Sequence, residues 1–322
     1  MLVIVGSYLG SALYRNSIIV RIRFRPIFIR SLDILNPLMQ LFPTYAFNSN
    51  NATVVRVKGW AFKKSHSLRN STADPFLSGS VKCSPITITI GSQVFSTATG
   101  NSGIFTFRAE VNHQNEGDVI VTAFCDSDTS SAATITVPII SATGLSIVSD
   151  VDDTIKDSMV YKSKIHAIAK ALFKKPQEVP GMANAYNYLS AKGCPIHYVS
   201  SGPFKLTQYL LDFIQEFGFP RVSLALRDNV WTEKTIDYKT RVIREIINVF
   251  LNDLGSPQAH FCAKTAQISI VFIRQVDGKS LDALRARAKA AFSPGVADLN
   301  DFAWQGFKDP MDILSNDILQ QH

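Results

Sequence analysis

The hydrophobic period of this chain changes once, near Thr143-Gly144, and that change restricts the fold more than any short motif does. From Pro43 to about Ile140, apolar and polar residues alternate in short runs: Thr53–Phe62, Ile86–Ile90, Gly103–Val111, Asp118–Phe124 and Thr134–Ile139. Clusters such as Thr99-Gly-Asn-Ser-Gly103 separate them. A period of two broken by turn residues predicts a small antiparallel β-sandwich, with no catalytic constellation in it.

Beyond Gly144 strand-like and helix-like segments take turns. Leu145–Val148, Pro195–Val199, Val222–Leu226 and Ser269–Ile273 are short apolar runs. Between them, helical patterning covers Ile165–Phe173, then Gly181–Leu189 with Pro180 in the first turn. Another helix is expected over Phe204–Phe217, where Leu206, Tyr209, Leu210, Phe213 and Ile214 recur at helical spacing. Lys239–Phe250 reads as a basic amphipathic helix. Such alternation predicts a parallel sheet with helices on both faces.

Charge is unevenly placed. The chain carries a net +7, and Arg15, Arg21, Arg23, Arg25 and Arg30 against the single acid Asp33 give its first 50 residues a net +4. Met1–Tyr14 is uncharged but too short to span a bilayer, and it lacks the basic start of a secretory signal. An acid-poor, arginine-rich leader has three readings: a mitochondrial address, a patch for anionic lipid, or a disordered or wrongly predicted terminus. Cys83, Cys125, Cys194 and Cys262 show no metal spacing, which suits a reducing compartment. Lys162, Lys164, Lys170, Lys174 and Lys175 read first as a solvated helix face and second as a lipid-facing one.

The chemistry concentrates where the first apolar strand of the second half ends, in Ile147-Val-Ser-Asp-Val-Asp-Asp-Thr154. Asp150 and Asp152 crowd one strand tip, where open α/β sheets bind ligands. One carboxylate can serve as nucleophile or metal ligand and the other as general acid and base. Asp-Asp-Thr is also ordinary turn and N-cap chemistry. Downstream, Ser200 follows the second strand at an expected helix start, and Lys239 opens a later helix. Nucleophile, proton donor and cation are what phosphoryl transfer needs. By type alone, Ser200 is also a candidate N-cap and Lys239 a candidate solvated lysine, while His197 and Trp60 read as core.

Asp150-Val-Asp152-Asp-Thr154 resembles motif I of haloacid dehalogenase-type phosphatases. More narrowly, Gly144–Lys156, Val179-Pro-Gly-Met182, Ile196-His-Tyr-Val-Ser-Ser201 and Leu226-Arg227 resemble the actin patch protein (App-type) family of phosphatidate phosphatases. Phe42-Pro-Thr-Tyr45 through Val57-Lys-Gly-Trp60 resembles that family's β domain. The resemblance implies a Rossmann-like haloacid dehalogenase-type domain over 143–322, preceded by a β-sandwich over 41–142 and the leader 1–40. It further implies that Asp150 attacks phosphorus and Asp152 protonates the leaving alkoxide and later activates water. Thr154 would support the loop; Ser200, with Ser201 and Gly202, would bind the phosphoryl group, and Lys239 would balance its charge. Mg²⁺ would sit on the Asp150 carboxylate and the Asp152 carbonyl, and phosphatidate would yield diacylglycerol and phosphate.

The family's fourth motif, an apolar strand running into Gly-Asp-Ser-Gly, is missing from this sequence. Residues 251–263 hold a single acid, Asp253, with no apolar strand before it. Gly202 stands where the family usually has a second serine. The expected alternative is therefore an impaired pseudophosphatase that binds lipid or cytoskeletal proteins. A phosphatase for phosphoproteins or small metabolites is a third option. Expected partners are a phospholipid surface and possibly the cytoskeleton, with no nucleic acid, at a cytoplasmic, peripheral membrane location or, as a minor alternative, a mitochondrial one.

Overall fold

The computed structural model describes residues 2–6, 37–49, 52–63, 78–112, 117–140, 145–158, 176–221, 223–228, 237–239, 241–243, 245–246, 268–274, 303–307 and 309–315. These residues form three sheets. The first is antiparallel throughout, ordered β10 (Asp128–Val137), β9 (Val119–Cys125), β6 (Pro85–Ile90), β7 (Gln93–Ala98). The second is built on β4 (Ala52–Lys63), which pairs with β2 (Leu38–Leu41), β3 (Ala46–Ser49), β5 (Gly79–Ser80) and β8 (Ile104–Val111). Alternate residues of both sheets turn inward, and Val55, Val57, Phe105 and Ala109 meet Ile86, Ile88, Val121 and Ala123 in one apolar core. That is the sandwich the period of two predicts.

The five predicted runs all form strands, but they undercount the sheets. β2, β3, β5 and β7 join them, and β11 (Ile139–Ile140) pairs with β3 in parallel, so the sandwich is not purely antiparallel. Gly103 turns the chain into β8 with φ +78, its carbonyl accepting the Ala61 N–H. A Cβ there would lie 2.7 Å from the Ala61 carbonyl oxygen and 2.9 Å from Ser80 Cβ. Gly103→Ala should therefore cost about 3 kcal/mol, read as a lower urea midpoint at unchanged slope.

The third sheet is parallel throughout, in the order β14 (Ser223–Arg227), β13 (Ile196–Pro203), β12 (Ser146–Asp150), β1 (Leu2–Gly6), β15 (Ile268–Arg274), β16 (Ala303–Phe307). Helix α1 (Met182–Ala191) leads into β13, and α2 (Thr207–Glu216) links β13 to β14. Pro180 is not in the first turn of α1 as expected; Gly181, at φ 84, is the N-cap and Pro180 precedes it. The helix expected over 165–173 and the five lysines around it lie outside the described residues. Leu2–Gly6, counted with the leader, is instead a strand inside the sheet, paired with β12 on one side and β15 on the other.

Strand succession runs from β1 through β12 and β13 to β14 in one direction, while β15 and β16 lie in the other. The order therefore reverses between β1 and β15, one strand away from β12. The last residue of β12 is Asp150. The sandwich packs close by. Phe42, Trp60 and Ile104 belong to the same apolar cluster as Ile147, Tyr186, Tyr198, Phe204 and Phe213. Trp60 and His197 are both buried, as their sequence context predicts. Burial pushes the His197 imidazole down to about 3, so it is a neutral packing group, bonded through Nδ1 to Ser223 Oγ and edge-on to Tyr45.

Candidate active site

Every residue of β12 is buried, so its terminal carboxylate enters a dry environment. Asp150 Oδ1 accepts the Val151 N–H at 2.9 Å and the Lys239 ammonium at 2.7 Å. Burial raises the carboxyl from 3.8 to about 6, with Lys239 opposing that rise and Asp152 adding to it. Lys239 is buried as well, so it is no solvated lysine. Residues 237–239 and 241–243 are helical, which puts Lys239 on a helix as expected.

After Asp150 the backbone coils on itself. The Val151 carbonyl accepts N–H groups of Thr154, Ile155 and Lys156. Asp153 sits at φ 60, donates its N–H to the Lys156 carbonyl and accepts the Ser158 N–H on Oδ1. The turn chemistry of Asp-Asp-Thr is thus real, and Asp153 performs it. Thr154 is fully buried beneath the turn. Asp152 keeps its side chain 29% exposed.

Three donors converge on Asp152. Ser158 Oγ at 2.6 Å and Lys156 Nζ at 3.2 Å reach Oδ1, while Ser200 Oγ at 3.1 Å reaches Oδ2. Burial raises the carboxyl, but Lys156 and Ser158 outweigh it and the net shift is downward. The two carboxyls are thus pushed in opposite directions, Asp150 up and Asp152 down.

Ser200 does not cap a helix. β13 continues through Pro203, a 3₁₀ turn follows at Phe204–Leu206, and α2 begins at Thr207. Instead its hydroxyl donates to Asp152 and accepts the Gly202 N–H at 3.1 Å. The Ser201 carbonyl accepts Arg227 Nε at 2.6 Å, tying this turn to β14. A Cβ on Gly202 would stand 3.2 Å from Ser200 Oγ, so the family's usual serine would have to displace that hydroxyl slightly.

Asp150, Asp152, Ser200 and Lys239 therefore meet at one strand end, with Thr154, Ser201 and Gly202 in the turns that hold them. Residues 145–253 match the family model described as the phosphatidate phosphatase APP1 catalytic domain. This segment belongs to that family. The match includes all seven residues and stops at 253, where the family's fourth motif was missed in the sequence. An uncharacterized protein of Schizosaccharomyces pombe is 27% identical over 89 residues, which is 27% of this chain and 15% of that protein. Two solved structures overlap more broadly: a carbohydrate acetylesterase from Xanthomonas citri and the chitinase ChiW from Paenibacillus. Their TM-scores are 0.30 and 0.20, at 9% and 10% identity. The first overlap covers 84% of this chain and 68% of the esterase, the second 78% and 36%. At such scores neither assigns a fold or a chemistry.

Within the APP1 catalytic segment, sequence reasoning gave no role to Lys156, Ser158 or Tyr186. Tyr186 OH bonds Ser149 Oγ at 2.8 Å, just before Asp150. The signal for Lys156 was its place four residues after Asp152, within an ion pair's reach if the chain coils there. Asp253 and the rest of 251–263 lie outside the described residues. No described helix is long and apolar enough to cross a membrane.

Proposed function

We propose that this chain is a Mg²⁺-dependent phosphatidate phosphatase of haloacid dehalogenase type, working through an aspartyl-phosphate. The observation that carries this reading is the meeting of Asp150, Asp152, Ser200 and Lys239 at the carboxyl end of β12. In the first half-reaction an Asp150 carboxylate oxygen attacks phosphorus. The bond from phosphorus to the glycerol oxygen breaks, and Asp152 delivers a proton to that oxygen, releasing diacylglycerol. In the second, Asp152 takes a proton from water, the water attacks phosphorus, and phosphate departs with Asp150 restored. Arrival of the phosphoryl group sets like charge against Asp152 and favours the protonated form that the first half needs. Ser200 donates to a phosphoryl oxygen, and Lys239 balances charge on Asp150 and phosphate.

The donor set suits Mg²⁺. It offers the Asp150 carboxylate and Asp152 carbonyl, both hard oxygens. Among the described residues no three acidic, histidine or cysteine side chains gather to hold a metal. Two protein ligands completed by substrate and water are what Mg²⁺ commonly accepts. When bound, the ion supplies Lewis-acid neutralisation of phosphoryl charge. The span between Thr154 and Pro195 is short, so any cap is small, and an open site at a strand end on a basic chain suits a headgroup embedded in a membrane. A cytoplasmic, peripheral location follows from that substrate.

The test is phosphate release from phosphatidate in mixed micelles, with Mg²⁺ or chelator, for the chain and for Asp150→Asn. Release that needs Mg²⁺ and falls at least about 10³-fold in the variant is expected. Release only from soluble sugar phosphates would remove the lipid assignment. Vesicle binding without turnover would favour the pseudophosphatase reading, which draws its support from the family match ending at residue 253.

A further inference from the structure

Lys156 is a buried cation that the reaction above does not use. It is 6% exposed, and its ammonium lies 2.6 Å from Ser158 Oγ, 3.2 Å from Asp152 Oδ1 and 5.7 Å from the centre of the Tyr209 ring. Its backbone is pinned just as firmly. Its N–H bonds the Val151 carbonyl, its carbonyl accepts the Asp153 N–H, and it bridges to both Asp152 and Glu178. Taking an ammonium out of water costs several kcal/mol unless its partners are well placed. Here the partners are Asp152 and the serine that bonds the same carboxylate oxygen.

Asp152 thus has two ends with different company. Oδ1 is held by Lys156 and Ser158, both from the coil after β12. Oδ2 meets Ser200, the residue read above as a phosphoryl donor. A carboxyl that passes a proton to a leaving oxygen must hold one of its oxygens within hydrogen-bond reach of that oxygen. We propose that Lys156, with Ser158, is the positioning residue for Asp152: the two clamp Oδ1 so that Oδ2 faces the ester oxygen. This rests on the phosphatase reading. It adds that proton delivery to the alcohol, and not phosphate binding, is what Lys156 serves.

Leaving-group chemistry separates those roles. The glycerol oxygen of phosphatidate leaves as a strongly basic alkoxide and needs the proton. Nitrophenolate, from p-nitrophenyl phosphate, is stable without it. The parameter kcat/KM covers steps only through departure of the alcohol, so the later attack of water does not blur the comparison. For Lys156→Met, kcat/KM on phosphatidate should fall about 10²-fold, while that on p-nitrophenyl phosphate stays within about threefold. Lys156→Arg, which can still hold Oδ1, should recover most of the loss on phosphatidate. Ser158→Ala should show the same selectivity at about tenfold, and gives the answer should Lys156→Met not fold.

Equal losses on both esters, in whichever of these variants folds, would overturn the proposal and make Lys156 structural. A raised KM on both, with kcat preserved, would overturn it too and make Lys156 a phosphate ligand. If the unaltered chain hydrolyses neither ester, the phosphatase reading itself fails, and that result is read from the parent protein alone.

Discussion

Lys239→Met should destabilise the protein by about 3 to 5 kcal/mol at pH 8 and by much less at pH 5. The ammonium is the closest counter-charge to a carboxylate buried at the end of β12, 2.7 Å away. Removing it strands Asp150 in a dry site. The sign of the pH effect follows from Asp150, whose carboxyl is raised by burial from 3.8 to about 6. Between those values the folded state holds the proton more tightly than the unfolded chain. Asp150's contribution to stability is therefore full below about pH 4 and is lost as pH rises through about 6. Without Lys239 the folded carboxyl rises further, so the loss continues into the alkaline range. Denaturant titrations at the two pH values measure this directly. The double variant Asp150→Asn/Lys239→Met should regain most of the pH 8 loss, because no charge is left stranded. An equal loss at both pH values would mean that Lys239 contributes packing rather than charge.

Trp60→Ala should cost about 3 to 5 kcal/mol and lower turnover as well, although Trp60 belongs to the sandwich. Its ring stacks on Phe62 at 4.2 Å, meets Phe204 edge-on at 5.2 Å and lies under Lys205. Phe204 begins the 3₁₀ turn directly after the strand that carries Ser200, Ser201 and Gly202. Lys205 Nζ also reaches back to the Ser78 carbonyl, and Phe42 packs on Phe204 from the same side. A cavity at Trp60 would therefore loosen the backbone that aims Ser200 at Asp152. Thermal unfolding followed by near-ultraviolet dichroism and by phosphate release should show one transition in the parent chain. In the variant, activity should be lost at a lower temperature than the sandwich signal. Two independent transitions already present in the parent would show that the sandwich does not brace the site.

The parts of this molecule that were legible in its sequence are those encoded over short spans. Asp150 and Asp152 stand two apart at the end of an apolar run, and the α2 stripe repeats at helical spacing. Ser200 and Lys239 were found through their order along the chain, but their local types suggested a cap and a wet lysine. Only the third dimension brings them against the aspartates. β7 escaped notice because Val94 points outward, which breaks the apolar-in, polar-out pattern on which strand reading depends. Lys156 was given no role because its burial depends on how the coil after Asp152 closes. Leu2–Gly6 was passed over as part of a leader, since nothing near it in sequence reveals its two partner strands.

That last strand carries a cost in time. β1 can be completed only by β12, beginning at Ser146, and by β15, beginning at Ile268. Closing such distant parallel contacts is entropically expensive, and the reward comes only after both loops are shut. Until then the edge of β12 next to Asp150 has unsatisfied backbone groups, open to pairing with a strand of another molecule. Folding of the catalytic sheet should thus be slow and sensitive to protein concentration, with the sandwich complete well before the strand beside the nucleophile is in place.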